Sequence, residues 1–133
     1  MKYKLEPKHS EKYLYVKLTE EGYAVDIKGI IFEARIQAKE LSYSLLYDFT
    51  EFINKVEISE IYNLYRGDLM EKLISVDPDI LKIDVAIIGN PDHAELWDFT
   101  ETTFYNAGIS IKVFYEKDQA LHWLARKKEA TRS

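Results

Sequence analysis

The chain contains no cysteine. Disulfides, thiolate metal sites, iron–sulfur clusters and a cysteine nucleophile are therefore excluded together. Glycine and proline are scarce, at 5 and 3 residues, and neither a Gly-x-Gly-x-x-Gly stretch nor a Walker loop is present. No apolar run approaches the ~18 residues needed to span a bilayer. The first residues, MKYKLEPKHSEKYLYVKL, carry charges every few positions, which argues against a signal peptide and makes the cytoplasm the expected location. A basic balance is missing too. With 23 acidic against 18 basic side chains the net charge is -5, which argues against broad electrostatic binding of nucleic acid. The histidines, His9, His93 and His122, are scattered without i, i+4 spacing, so no zinc site is expected. No Gly-x-Ser-x-Gly elbow exists either, and no cofactor is expected.

What is present is a globular composition. The 133 residues are 47% hydrophobic and 31% charged, enough to bury a core without staples. One domain is expected over residues 1–133, with its core at about 2–125 and a basic tail at 126–133. Aromatic content is 14%, including ten tyrosines.

Hydrophobic spacing predicts an α/β chain. Tyr3 and Leu5, then Tyr13 to Leu18, read as two strands joined by a turn at Pro7–Ser10, hence an antiparallel hairpin that Glu20-Glu21-Gly22 breaks off. From Asp26, read as an N-cap, Ile27, Ile30, Ile31, Ala34, Ala38 and Leu41 form one helical stripe, with Lys28, Glu33, Arg35, Lys39 and Glu40 largely off it. Tyr43 to Tyr47 read as a buried strand, and Asp48 to Phe52 as its exit loop. A second stripe runs through Ile58, Ile61, Tyr62, Tyr65, Leu69, Leu73 and Val76, bent at Gly67 and ended by Asp77-Pro78. Ile83 to Gly89 is a near-continuous aliphatic strand, as in the middle of a parallel sheet. Asn90-Pro91-Asp92 opens the third helix, which stops at Gly108. Ile109 to Phe114 make the last strand, and Asp118 caps a last helix carrying Ala120, Leu121 and Leu124. The predicted order is β-β-α-β-α-β-α-β-α, a mixed five-stranded sheet with four helices.

This order resembles that of the STAS domains, the anti-sigma-factor antagonist fold, and within them the SpoIIAA-like group. Three places carry the resemblance: the strand ending in Asp48, the strand Val85–Gly89 leading to the helix with Trp97, and the run from Lys112-Val113-Phe114-Tyr115 through Ala120-Leu121-His122-Trp123-Leu124. It covers about residues 12 to 125. In the phosphorylated antagonists of that superfamily an Asp-Ser pair opens the second helix, and the serine accepts phosphate. Here Ser59 stands near that position, but Ile58 replaces the aspartate and Glu60 follows. The resemblance makes Ser59 a candidate phosphoacceptor, against the plainer reading of a serine N-cap.

Ligands of open α/β sheets sit at the carboxyl ends of parallel strands. Asp48, Thr50, Glu51, Asp92, His93 and Asp118 all fall in the predicted loops there. They could hold a divalent cation or do acid–base work, or simply be caps and turn residues. The aromatics near the second and third helices suggest a half-exposed contact surface. Its candidate residues are Asp48, Phe49, Thr50, Phe52, Tyr62, Tyr65 and Trp97. Two functions follow from the resemblance and this surface. One is a non-enzymatic interaction or regulatory module that binds a protein partner or a second copy of itself. The alternative is a carrier of a small apolar or lipid-like ligand in an aromatic cleft, since the SpoIIAA-like group resembles the lipid-binding CRAL-TRIO fold. No catalytic residue is named by either, and neither implies stable membrane insertion.

Overall fold

The structure, a computed structural model, describes residues 1–132, with the side chains at 65, 66, 131 and 132 outside that description. Tyr3 and Leu5 alternate with lysines in β1 (Lys2–Lys8), and Leu14, Val16 and Leu18 alternate with Tyr15 and Lys17 in β2 (Tyr13–Gly22); the two strands pair antiparallel across the turn. Then come α1 (Ala24–Leu41) and β3 (Ser44–Asn54). The second helical stripe is divided into α2 (Ile58–Arg66) and α3 (Asp68–Val76). It breaks at Gly67, where a Cβ would meet the Asn63 carbonyl oxygen at 2.8 Å. β4 (Val85–Ile88), α4 (Ala94–Asn106), β5 (Ile111–Phe114) and α5 (Lys117–Arg132) complete the chain. The predicted alternation holds, with the second of its four helical segments in two pieces. Gly108, at φ 78°, terminates α4 in the left-handed conformation expected of it.

The strands lie in chain order, β1-β2-β3-β4-β5, and β2 through β5 are all parallel. Right-handed crossovers between sequential neighbours must all return over the same face. Hence α1, α2, α3 and α4 share one side, packing Ile30, Ala34, Leu64, Leu73 and Leu96 on Leu14, Val16, Leu45, Val85 and Ile87. α5 covers the other face, where Ala120, Trp123 and Leu124 meet Tyr13, Leu46, Ala86 and Ile88. Both faces of β4 are thus covered, which is why it reads as an unbroken aliphatic run. Fully buried leucines such as Leu14, Leu45, Leu46 and Leu73 contribute roughly 1.5–3 kcal/mol each.

Several local expectations change. Asp26 is not the N-cap of α1 but lies in its first turn, where its carboxylate accepts from the Tyr23 N–H at 3.0 Å. Asp118 likewise lies inside the first turn of α5. β2 runs on through Glu20-Glu21-Gly22 to pair with Phe52, Ile53 and Asn54, so the stretch 48–52 is strand and not exit loop. The basic tail continues α5 as helix to Arg132, and Lys128 Nζ donates to the carbonyls of Glu11 and Lys12, tying the helix to the first turn.

Candidate functional site

The long β3 contains a bulge. Lys17 pairs with Asp48, but Thr19 pairs with Glu51, so β3 has one more residue than β2 between the two pairs. The insertion resets the alternation and sends Phe49 and Phe52 to the same side of the sheet. Asp48 holds the bulge from the opposite face. Its Oδ1 accepts from the Thr50 N–H at 3.0 Å and the Thr50 hydroxyl at 2.7 Å, and its Oδ2 accepts from the Tyr15 hydroxyl. Burial pushes the Asp48 carboxyl up. The hydrogen bonds from Tyr15 and Thr50 and the Lys17 ammonium outweigh it and hold the group below the usual carboxylate range. Burial first, and the bond to Asp48 second, push the Tyr15 phenol well above its ordinary value. Lys117 lies 4.8 Å from the Tyr15 ring, and Lys17 pairs with Glu51 at 2.5 Å. The Asp48 cluster is therefore internally satisfied.

The other predicted residues fall elsewhere. Phe49, Phe52 and Trp97 are buried in the core on the α1–α4 side, with Phe49 and Trp97 ring centroids 4.8 Å apart. The expectation of a half-exposed aromatic surface is corrected for these three: Phe49 follows Leu45 and Tyr47 to the helix-covered side by simple alternation, and the bulge brings Phe52 to that side as well. Tyr62 is half-exposed and Thr50 exposed, while the Tyr65 side chain lies outside the described residues. Ser59 is exposed in the first turn of α2, two residues past the N-cap, which is Glu57; Glu60 accepts from the Glu57 N–H at 2.9 Å. Ser59 is thus not itself the cap. Asn90 does cap, accepting from the Asp92 N–H at 2.9 Å, but what it caps is a short 3-10 turn, Pro91–His93, and His93 is the N-cap of α4. The carboxylate rim does not assemble as a cation site: among the described residues no three His, Asp or Glu side chains are grouped to hold a metal ion.

On the α1–α4 side lies a cavity of about 80 Å³ between sheet and helices. Its surface is almost entirely apolar, and Arg35 from α1, Tyr47 from β3 and Trp97 from α4 border it chiefly through carbon atoms. Arg35 is only 2% exposed, although five donor N–H groups must be placed somewhere. Its Nη1 donates to the Ile80 carbonyl at 3.1 Å, and its Nε has no acceptor. No described carboxylate pairs with it. The Tyr47 hydroxyl and the Trp97 indole N–H are buried without partners as well. Burial depresses the Arg35 guanidinium, and it pushes the Tyr47 phenol up to about 12 against the opposing pull of Arg35. Sequence reading placed Arg35 off the apolar stripe. The spacing Ile27, Ile31, Arg35 at i, i+4, i+8 was the available signal, since those positions stack on one helix face.

No protein-family model matches the sequence, and no curated protein matches it. Among solved structures, the chain is similar to an uncharacterised DUF3478-family protein with a SpoIIAA-like fold from Shewanella loihica PV-4. Identity is 22%, 92% of each chain is covered, and the TM-score is 0.53. The anti-sigma factor antagonist SpoIIAA in its unphosphorylated form aligns over 99% of both chains at 13% identity and a TM-score of 0.48. The first likeness establishes the fold: this chain is an α/β domain of the SpoIIAA-like type. Among the described residues no helix is long and apolar enough to cross a membrane.

Proposed function

We propose that the chain is a non-catalytic interaction module that binds a protein partner through the carboxyl-terminal edge of its parallel strands. The observation that carries this reading is the apolar exposure gathered there. Val25 is 75% exposed, Ile53 56% and Tyr23 54%, with Ile58 and Tyr62 half-exposed on α2. Backbone pairing brings these positions to one edge: Ile53 pairs with Glu21, and the Lys55 N–H donates to the Gly22 carbonyl at 3.0 Å. Large apolar side chains left in water at an edge offer area that a partner can desolvate. The ionisable groups near that edge are engaged in caps and ion pairs, as Asp26, Glu60 and the Lys55–Glu21 pair at 3.3 Å illustrate. Binding in this reading does not require phosphate. A phosphate on Ser59 would meet first-turn N–H groups but also the carboxylates of Glu57 and Glu60.

The test compares the tagged wild-type chain with V25D/I53D in light scattering and in pull-down from its native lysate. A second copy or a protein held by the wild type and lost from the variant supports the reading. A monomer that retains the same proteins as the variant overturns it. A second reading, a binder of a small ligand, is favoured by the cavity at Arg35 and Tyr47. At about 80 Å³ it takes a molecule of a few heavy atoms, not a lipid chain.

A further inference from the structure

We infer that Glu101 guards the open edge of the sheet: its carboxylate holds the outward Val113 N–H and so keeps β5 from pairing with the β5 of a second copy. β5 stands at one end of the sheet, with β4 on its inner side. In a parallel ladder, alternate residues turn their N–H and C=O groups to the same neighbour. The Val85 and Gly89 N–H groups donate to the carbonyls of Ser110 and Phe114 at 3.0 and 2.8 Å, so the even-numbered residues of β5 face β4. Ile111 and Val113 therefore present their backbone groups outward. The Val113 N–H donates to Glu101 Oε2 at 2.6 Å, a short, charge-assisted bond to a side chain of α4.

The two edges of the sheet are protected differently. β1 carries Lys2, Lys4, Glu6 and Lys8 with Pro7 among them, and charges and proline are what blunt an edge strand. β5 reads Ile-Lys-Val-Phe, a sequence of high strand propensity with a single charge. Nor do the helices close over it. α4 and α5 leave a groove of about 810 Å³ along the strand, bordered by Thr102, Tyr105 and Trp123, and Tyr105 is 74% exposed. What stands in the way of a sixth strand is the bond at Val113. A second copy is the occupant this edge selects, because two β5 strands can meet antiparallel about a twofold axis at Val113. Such a pair exchanges two Val113 N–H···O=C bonds, and those are the N–H groups that the two Glu101 carboxylates hold. This edge lies two strands away from Ile53 and is separate from the surface proposed above.

The experiment uses the full chain carrying Val25→Asp and Ile53→Asp, so that association through the other surface does not register. Sedimentation equilibrium over a concentration series compares this parent with added Glu101→Ala or Glu101→Gln, and amide hydrogen exchange follows Val113. Glu101→Ala should tighten self-association at least ~10-fold, since pairing no longer breaks two charge-assisted bonds. Its Val113 amide should exchange faster than the parent's when dilute and slow down as concentration rises. Glu101→Gln keeps an acceptor oxygen and should stay closer to the parent than to Glu101→Ala. If Glu101→Ala sediments like the parent, or associates without protecting the Val113 amide, the inference is overturned. If Glu101→Gln associates as strongly as Glu101→Ala, charge repulsion and not the held N–H keeps the copies apart, and the inference is overturned as well.

Discussion

Replacing Asp48 by alanine should cost more than its place near a strand end suggests. The carboxylate accepts three hydrogen bonds, from the Tyr15 hydroxyl and from the hydroxyl and amide of Thr50. Thr50 is exposed, so water replaces its lost acceptor, whereas the Tyr15 hydroxyl lies in a half-buried contact. Leaving a buried donor unsatisfied costs about 1–3 kcal/mol, and a hydrogen bond to a charged group is worth about 1.5–3 kcal/mol. A total near 2.5 kcal/mol is therefore expected, in the upper half of those ranges because three hydrogen bonds are lost together. With unfolding entropy of roughly 2.1 cal/mol/K per residue, the 133 residues convert this to a fall in Tm of about 9 °C. Thermal unfolding followed by circular dichroism measures it. Tryptophan emission should shift at the same time, because Trp97 packs on Phe49, which lies next to Asp48 at the bulge. The loss must also be shared with Tyr15: Tyr15→Phe and Asp48→Ala should be non-additive by about 1 kcal/mol. Since the folded-state value of Asp48 is depressed, its stabilisation is complete above the unfolded value of about 3.9. It is lost as the pH falls through the folded value. The gap between wild type and Asp48→Asn should accordingly be widest near neutrality and close on acidification. A Tm for Asp48→Ala within about 2 °C of wild type, strict additivity with Tyr15→Phe, or a gap that widens in acid would refute the reasoning.

Two further outcomes follow from burial. Gly89→Ala should destabilise by about 1–3 kcal/mol, because the new methyl would lie 2.7 Å from Trp97 Cδ1 and the buried indole has little room to move; denaturant melts will show it, and a neutral result contradicts the packing described. Arg35→Met should stabilise by about 1 kcal/mol or more, since it replaces an unpaired buried charge with an apolar side chain of similar length; a Tm well below wild type would mean that the guanidinium is held by more than the Ile80 carbonyl.

Much of the fold was legible because its signals are local. The Ile83–Gly89 run, the Asn90 cap and the Gly108 stop each depend on a few adjacent residues, and each is where the pattern places it. What was missed depends on partners far away in the chain. Glu20-Glu21-Gly22 reads as a breaker, yet it is strand because 52–54 lie beside it. Phe49 and Phe52 read as exit loop although β3 runs on to Asn54, and the side that Phe52 takes depends on an inserted residue that regular alternation cannot anticipate. Arg35 reads as surface by its charge, and only the packing of α1 over Ile80 shows it buried. The cavity is a product of that packing and has no signature in spacing.

One tetrapeptide separates what sequence alone determines from what it leaves open. Asp-Phe-Thr-Glu occurs twice, at 48–51 and at 98–101. The first copy is strand with a bulge, and its threonine hydroxyl donates to Asp48. The second is helix, and its threonine hydroxyl donates to the Leu96 carbonyl one turn back at 2.8 Å. Both phenylalanines still pack against the same core, one buried in it and one at its margin. The amino acids by themselves determined that these side chains seek a core, that the chain alternates strand and helix, and which residues can cap or stop a helix. The tertiary structure decided which backbone delivers each side chain there, because hydrophobic burial is non-directional while strand pairing is not.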